Sequence, residues 1–441
     1  MKSKNKKTNK KVVPLKSVFF VNDVLSSYYR MLRKIKPGET PVAYVNIGFP
    51  KQVLYSMGVI PVYPQFHAGF QSARGKAKHI LKYVEDNHEL PHDICGEVKA
   101  AIGTALLGDS LAFQLPKPDM VIGNNSYCLQ AAKGFKFLST RLKIPYYFCD
   151  FPCTNQLDEN SRAVTYALAQ IEQFAKEIQK EFHTEFNPDK LKSSIHKDFR
   201  VFVVWREIMK LCSLDPAPVD AMDLNIFLLP FYTIDSENDV VLNMMIDLYN
   251  NLSKQYLNRE MTGEKEYRLL WDLLPVYHKK DFFQALLSRY NATVVTSTFF
   301  FGSSYYLNTL DPWFQYPLTK EKVIEKIETL PPVTLEDGIR FFMQADSKHP
   351  LQHKKEKMKN MIRDFKIDAV VLHMDRSCRP ISLTQYELMH YIEKELNVPV
   401  LLFDADSMDE RYFSKSQVAT RVEAFMENLP PKAQKKQGIV I

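Results

Sequence analysis

The sequence predicts an α/β protein with two parallel-sheet domains, a helical bridge between them and an N-terminal helix. Three observations carry that expectation. Short apolar runs alternate with amphipathic stretches toward both ends of the chain, and the segment between keeps a helical period. The two ends also share a pattern: a strand, a polar loop holding a cysteine, a helix, then a Pro-led strand closed by Asp. At 441 residues the chain exceeds what one core ordinarily serves.

Taken in order, the first eleven residues, "MKSKNKKTNKK", hold six lysines and no acid, so 1–11 reads as a disordered basic leader. A first helix is expected over roughly Val21 to Lys36, closed by "KPGE". The runs "VAYVNI", "VIPVY", "DMVIGN" and "IPYYFCD" are expected strands, with helices such as "KQVLYSMG" and "CLQAAKGFKFLSTRLK" between them. They make an N-terminal α/β domain over 12–156. Residues 157–260 read as the helical bridge, from "AVTYALAQIEQFAKEIQKEF" and "VVLNMMIDLYNNLSKQYL", interrupted at "DPAPVD". The strand pattern returns in "YRLLWDL", "ATVVTSTFFF", "DAVVLHM" and "VPVLLFDAD", giving a C-terminal α/β domain over 261–430 and a tail over 431–441. A duplicated βαβ unit is the economical reading of the two halves.

Charge narrows the partners. The net +7 falls mainly to the leader, which leaves 52 basic against 51 acidic residues in the body, so no nucleic-acid groove is expected. No apolar stretch reaches the roughly 18 residues of a membrane span. The run "VVPLKSVFFV" is interrupted by Pro14 and Lys16, and no cleavage site follows it. The expectation is a cytoplasmic protein with no membrane partner. Dinucleotide and ATP loops are absent, as are H-E-x-x-H and G-x-S-x-G, and Ser377 has no partner base visible in sequence. Demanding chemistry would therefore fall to a cofactor.

Six cysteines scattered over this length make no disulfide framework. Cys128 lies seven residues after Val121, and Cys378 seven after Val371, each past the end of a predicted strand. Open α/β sheets bind ligands on that side. Cys95 opens a helix behind Asp93, a candidate N-cap, and a helix N-terminus favours the thiolate that ligates metals. Cys153, in "FPC", competes with them on spacing. Cys149 and Cys212 read as packing, the usual state of a lone cysteine. Without a C-x-x-C pair, neither a zinc ribbon nor a ferredoxin-type run is supported. On the residues alone, a metal or cluster site and plain packing both stay open.

The succession "GVIPVYPQFHAG", "HDICGEVKAAIG", "KPDMVIGNNSYC", "PAPVD", "DAVVLHMDRSCRP" and "DADSMDERYFSKSQVATRVEAFMENL" resembles the 2-hydroxyacyl-CoA dehydratase and benzoyl-CoA reductase family. The likeness runs in order over nearly the whole chain after residue 40. It implies two Rossmann-like (flavodoxin-like) halves holding one 4Fe-4S cluster through Cys95, Cys128 and Cys378, with one non-cysteine coordination position. Cys153 then takes a packing or supporting role. It also implies an acyl-CoA substrate, a homologous second subunit in a heterodimer, and a separate ATP-dependent iron–sulfur activator. Family members deliver a low-potential electron to the thioester carbonyl to make a ketyl radical. Dehydratases then expel the α-hydroxyl, whereas benzoyl-CoA reductases consume the electron in reducing the ring.

Beside that resemblance, Gln65 and His67 in "PVYPQFHAGF" are expected to reach an acyl group, with Tyr63 and Phe66 walling the pocket. A packed core histidine explains His67 equally well, and an amide at 65 cannot exchange a proton near neutral pH. Arg376 and Arg379 flank Cys378, where they would meet cluster charge, CoA phosphates or surface ion pairs. The dehydratase type is the leading expectation and the reductase its alternative. A non-catalytic electron-relay subunit, a double-cubane cluster reductase and a zinc-stabilised binding protein are further rivals.

Overall fold

The computed structural model describes residues 16–36, 38–107, 115–152, 161–257, 266–301, 319–343 and 351–431. The basic leader, Cys153, the segments around 156 and 260 where the domain borders were expected, and the tail beyond 431 lie outside those residues.

Helix α1 (Lys16–Leu32) precedes strand β1 (Val42–Val45), α2 (Lys51–Ser56) and β2 (Ile60–Val62). Helices α3 (Pro64–Ala73), α4 (Ala77–His88) and α5 (Gly96–Leu107) lead to β3 (Met120–Asn124), then α6 (Leu129–Leu142) and β4 (Tyr146–Cys149). Next come α7 (Arg162–Phe182), α8 (Pro188–Cys212), α9 (Asn225–Thr233) and α10 (Val240–Leu257), with no strand among them. The second half runs β5 (Tyr267–Asp272), α11 (Lys280–Ser288), β6 (Ala292–Ser297), α12 (Thr298–Phe301), α13 (Lys320–Glu328), α14 (Leu335–Met343) and α15 (Leu351–Asp364). It closes with β7 (Ala369–Asp375), α16 (Arg379–Ser382), α17 (Gln385–Glu395), β8 (Val400–Ala405) and α18 (Lys415–Glu427).

Two four-stranded sheets result, ordered β2-β1-β3-β4 and β6-β5-β7-β8, every pairing parallel. The orders are the same when each half is counted from its own first strand. Both sheets have helices to cover them, so their strands are continuous rather than alternating in hydrophobicity. β3 is buried along its whole length and β7 at all but one position. The eight apolar runs of the sequence are these eight strands, with one difference. "ATVVTSTFFF" leaves the sheet at Ser297, and Thr298 to Phe301 turn as a short helix. Thr298 brings this about by donating its hydroxyl to Asp272 Oδ1 at 2.7 Å while accepting from the Leu273 amide at 2.7 Å.

Helix α8 anchors the middle of the chain. Asn187 caps it by accepting from the Lys190 amide, and Pro188 follows at the first helical position. It packs on α10 and on α2 of the first half. Asp198, buried on α8, faces the Lys51 ammonium at 3.2 Å, and that ammonium also donates to the carbonyls of Phe231 and Ile234 at 2.6 Å each. The Lys51 ammonium is thus met by three acceptors, while burial still holds the Asp198 carboxyl above its ordinary pKa.

A second ionic contact joins the two sheet-bearing halves directly. Arg411 donates two bonds to Glu85 of α4, at 2.7 and 2.8 Å, and is itself braced by Asp409. The Glu85 carboxylate also meets the buried Lys99 ammonium at 2.8 Å. Burial alone would raise the Glu85 pKa, but the Arg411 and Lys99 hydrogen bonds overcome it and bring the pKa down to about 2. Such a group stabilises the fold above its ordinary pKa and loses that contribution as pH falls toward 2. Glu85→Gln strands the Lys99 charge, so it is expected to cost about 3 kcal/mol near pH 7. The melting difference from the unsubstituted protein should shrink as pH is lowered below about 4.5. A difference constant with pH would show that the Arg411 contact does not join the halves in solution.

Candidate functional site

The loops after β3 and β7, the third strands of the two halves, are built alike. β3 ends at Asn124, whose side chain accepts from the Ser126 amide at 2.9 Å and donates to Asn46 Oδ1 at 2.7 Å, tying the loop to the end of β1. β7 ends at Asp375, whose Oδ1 accepts from the amides of Ser377 and Cys378 at 3.1 and 3.3 Å. Its Oδ2 accepts from Ser407 past the end of β8 at 3.1 Å. In each half a short polar side chain at the strand end bends the following loop, and the loop delivers a cysteine to the start of a helix.

Cys128 is the N-cap of α6 and Cys378 the N-cap of α16. Cys95 immediately precedes α5, and its carbonyl accepts the first helical bond, from Lys99, at 3.0 Å. All three thiols therefore stand at helix starts. The amides of Val98, of Gln130 and Ala131, and of Ile381 face the respective sulfurs. Cys95 is buried, whereas Cys128 and Cys378 are half-buried, so the group opens on one side. Cys149 and Cys212 are buried in the core, 1% and 0% exposed.

The three sulfurs share one electrostatic neighbourhood. Burial raises every thiol, Cys95 and Cys378 the most. Cys378 raises Cys95, Cys128 raises Cys378, and the carboxylates of Glu97 and Asp375 add to the rise. Neutral thiols surrounded by acids are the protein-only state of such a site, and a bound cationic centre would hold them as thiolates. Among the described residues no three His, Cys, Asp or Glu side chains converge closely enough for a single metal ion. A multi-iron cluster has its thiolates on separate irons and needs them farther apart than that. Three thiols at helix starts, open on one side and ringed by backbone N–H groups, fit such a cluster.

Gln65 lies in the first turn of α3 and bonds Glu97, an acid beside this group. Its Oε1 accepts from the Ile47 amide at 2.9 Å, which turns its NH2 toward Glu97 Oε1 at 2.7 Å. Glu97 is two residues past Cys95, and burial pushes its carboxyl up to about 7, with Gln65 opposing the rise and Asp375 and Asp406 adding to it. Sequence reading passed over Glu97, because an acid in a first helical turn is ordinary complementation of the helix dipole. Its place behind a cysteine was the available signal. His67 faces elsewhere. It is 1% exposed, its ring centre 5.4 Å from that of Tyr29 and its Nε2 3.4 Å from the Gln71 amide nitrogen. Tyr63 and Phe66 do wall a cleft, together with Tyr127 next to Cys128.

The halves are fastened beside the thiols by Ser377. The Gly96 amide donates to Ser377 Oγ at 2.9 Å, and that hydroxyl donates to Asp406 Oδ2 at 2.6 Å. Asp406 Oδ1 takes the amides of Met408 and Asp409 at 2.9 Å each. A side chain at 96 would put its Cβ 2.6 Å from Asp406, so glycine there permits the approach. The residue after Cys95 and the residue before Cys378 are thus bonded to each other.

The family described as 2-hydroxyglutaryl-CoA dehydratase, D-component, matches residues 46–429. The chain belongs to that family. The chain is also similar to the (R)-phenyllactyl-CoA dehydratase alpha subunit of Clostridium sporogenes, 21% identical over 96% of this chain and 98% of the relative. The lactoyl-CoA dehydratase alpha subunit of Anaerotignum propionicum is 23% identical over 86% and 88%. A benzoyl-CoA reductase subunit of Thauera aromatica is 22% identical over 97% of each chain. Every one is named as a subunit of an enzyme, and the present chain is an enzyme subunit of the dehydratase D-component family. No described helix is long and apolar enough to cross a membrane.

Ser377→Ala removes the link between Gly96 and Asp406 and leaves a buried donor and acceptor unpaired, an expected loss of about 1–3 kcal/mol in thermal or denaturant unfolding. Gly96→Ala should destabilise as well, by forcing Asp406 away. If both variants melt with the unsubstituted protein, the Ser377 contact is not formed in solution.

Proposed function

We propose that the chain is the iron–sulfur subunit of an activator-dependent acyl-CoA enzyme of the 2-hydroxyacyl-CoA dehydratase type. The observation that supports this reading best is the gathering of three thiols at helix starts from two separate halves. Cys95, Cys128 and Cys378 would hold a 4Fe-4S cluster. When bound, a cluster with three thiolate ligands keeps one iron open and supplies a low-potential electron to the acyl-CoA carbonyl. The protein's own part is positional. Asp375 and Asn124 hold the ligand loops, Ser377 keeps the halves in register, and Gln65 fixes the Glu97 carboxylate beside the thiols. Of the two side chains proposed for substrate contact, Gln65 has this connection, while the surroundings of His67 are those of packing.

The alpha-subunit names of the relatives support a homologous partner subunit. The missing phosphate-binding loop supports a separate ATP-dependent activator. The near-full-length likeness to a benzoyl-CoA reductase subunit favours dearomatising reduction as the second reading. Products separate the two: an enoyl-CoA without net electron consumption for the dehydratase, a cyclic dienoyl-CoA with stoichiometric electrons for the reductase.

Protein purified without oxygen should carry about four iron and four sulfide per chain. Cys378→Ser should lose them and Cys212→Ser should retain them. Full iron in the Cys378→Ser protein would overturn the ligand assignment.

A further inference from the structure

A half-open cleft of about 290 Å³ lies at the carboxyl ends of β7 and β8, bounded by the Glu410–Tyr412 turn and the start of α18. The proposed substrate function does not account for it. Three guanidinium groups line it, from Arg376, Arg411 and Arg421, against one carboxylate, Asp404. Arg411 is held in place from behind by Glu85 and Asp409. Arg376 makes a loose, exposed pair with Asp404 at 3.3 Å, the kind that a better anion displaces easily. Arg421 is exposed and has no acidic partner among the described residues.

The cleft also has a flat face. The Arg376 guanidinium lies 5.2 Å from the centre of the Tyr412 ring, which is 37% exposed, and Gln417 adds an amide on the α18 side. Cationic forks suit phosphate oxygens, and an exposed ring beside a guanidinium suits a stacked base. Arg376 begins the loop that ends, two residues later, at Cys378. The cleft and the candidate thiol site therefore share one loop.

We propose that this cleft binds the phosphorylated adenosine end of CoA, with Arg376 and Arg421 on the phosphates and the Tyr412 face beside the base. The inference rests on the acyl-CoA reading above, and it names the part of the substrate that the thiol site leaves unheld. A free adenine nucleotide shares the same chemistry, so the test includes both. CoA, dephospho-CoA, ADP and pantetheine are titrated calorimetrically into the oxygen-free holoprotein with its co-purifying partner. Arg421→Glu and Arg376→Glu are compared with the unsubstituted protein, and iron per chain is measured in each.

CoA affinity is expected to fall about tenfold or more in either variant, as loss of a charge-assisted phosphate contact requires. Pantetheine affinity and iron content should stay unchanged. CoA binding that is equal in all three proteins would overturn the cleft assignment and leave the acyl-CoA reading standing. Loss of ADP binding in the variants, with CoA binding untouched, would assign the cleft to a free nucleotide and likewise overturn it. No CoA binding by any of the proteins would remove the acyl-CoA reading itself, and the cleft assignment with it.

Discussion

One hydroxyl links the halves of this protein at the candidate site. Ser377 takes the Gly96 amide with its oxygen and gives its proton to Asp406, so the residue after Cys95 and the residue before Cys378 share one buried bond system. The Arg411 fork on Glu85 fastens the same two halves nearby. Buried polar contacts of this kind add little net stability, but they are costly to leave half-made, which makes the paired arrangement specific. Three thiols drawn from the ends of two sheets need that specificity, because no local chain geometry brings them together.

The shared strand order of the two sheets gives the arrangement its economy. Each half places a cysteine of the candidate site after its third strand, at the crevice where the strand order turns about and where α/β sheets ordinarily bind ligands. The halves differ in the side chain that shapes the loop, Asn124 in one and Asp375 in the other. The amide builds a neutral pair with Asn46, whereas the carboxylate gathers three amides and adds negative charge beside the sulfurs. Cys95 breaks the symmetry. It enters from the long β2 to β3 connection, at the head of a helix buried along most of its length.

Much of the fold was legible because parallel strands covered by helices must be apolar throughout. "DMVIGN" and "DAVVLHM" stand out of the sequence for that reason, and they are the third strands of the two sheets, with Cys128 four residues past the end of one and Cys378 three past the end of the other. The end of β6 was not legible, since "STFFF" satisfies the strand pattern, and the bonds that turn the chain there, from Thr298 to Asp272 and from the Phe299 amide to Ser297, are tertiary and local side-chain contacts. Glu97 was passed over and His67 put forward on proximity in sequence. Two residues apart on a helix point to different sides, which sends Gln65 to Glu97 and His67 to Tyr29.

By itself the sequence determined which residue types were available: eight apolar runs, helix-opening cysteines, no phosphate loop, and a body near charge balance. Those follow from local periodicity and composition, which each segment carries alone. Tertiary structure decided which of them meet. That Gly96 faces Asp406, that Gln65 turns its amide to Glu97, and that Arg376 and Arg421 share a cleft all depend on contacts between distant segments. Hydrogen bonds and ion pairs are short-ranged in space and indifferent to separation along the chain, so their partners become known only once the cores have packed.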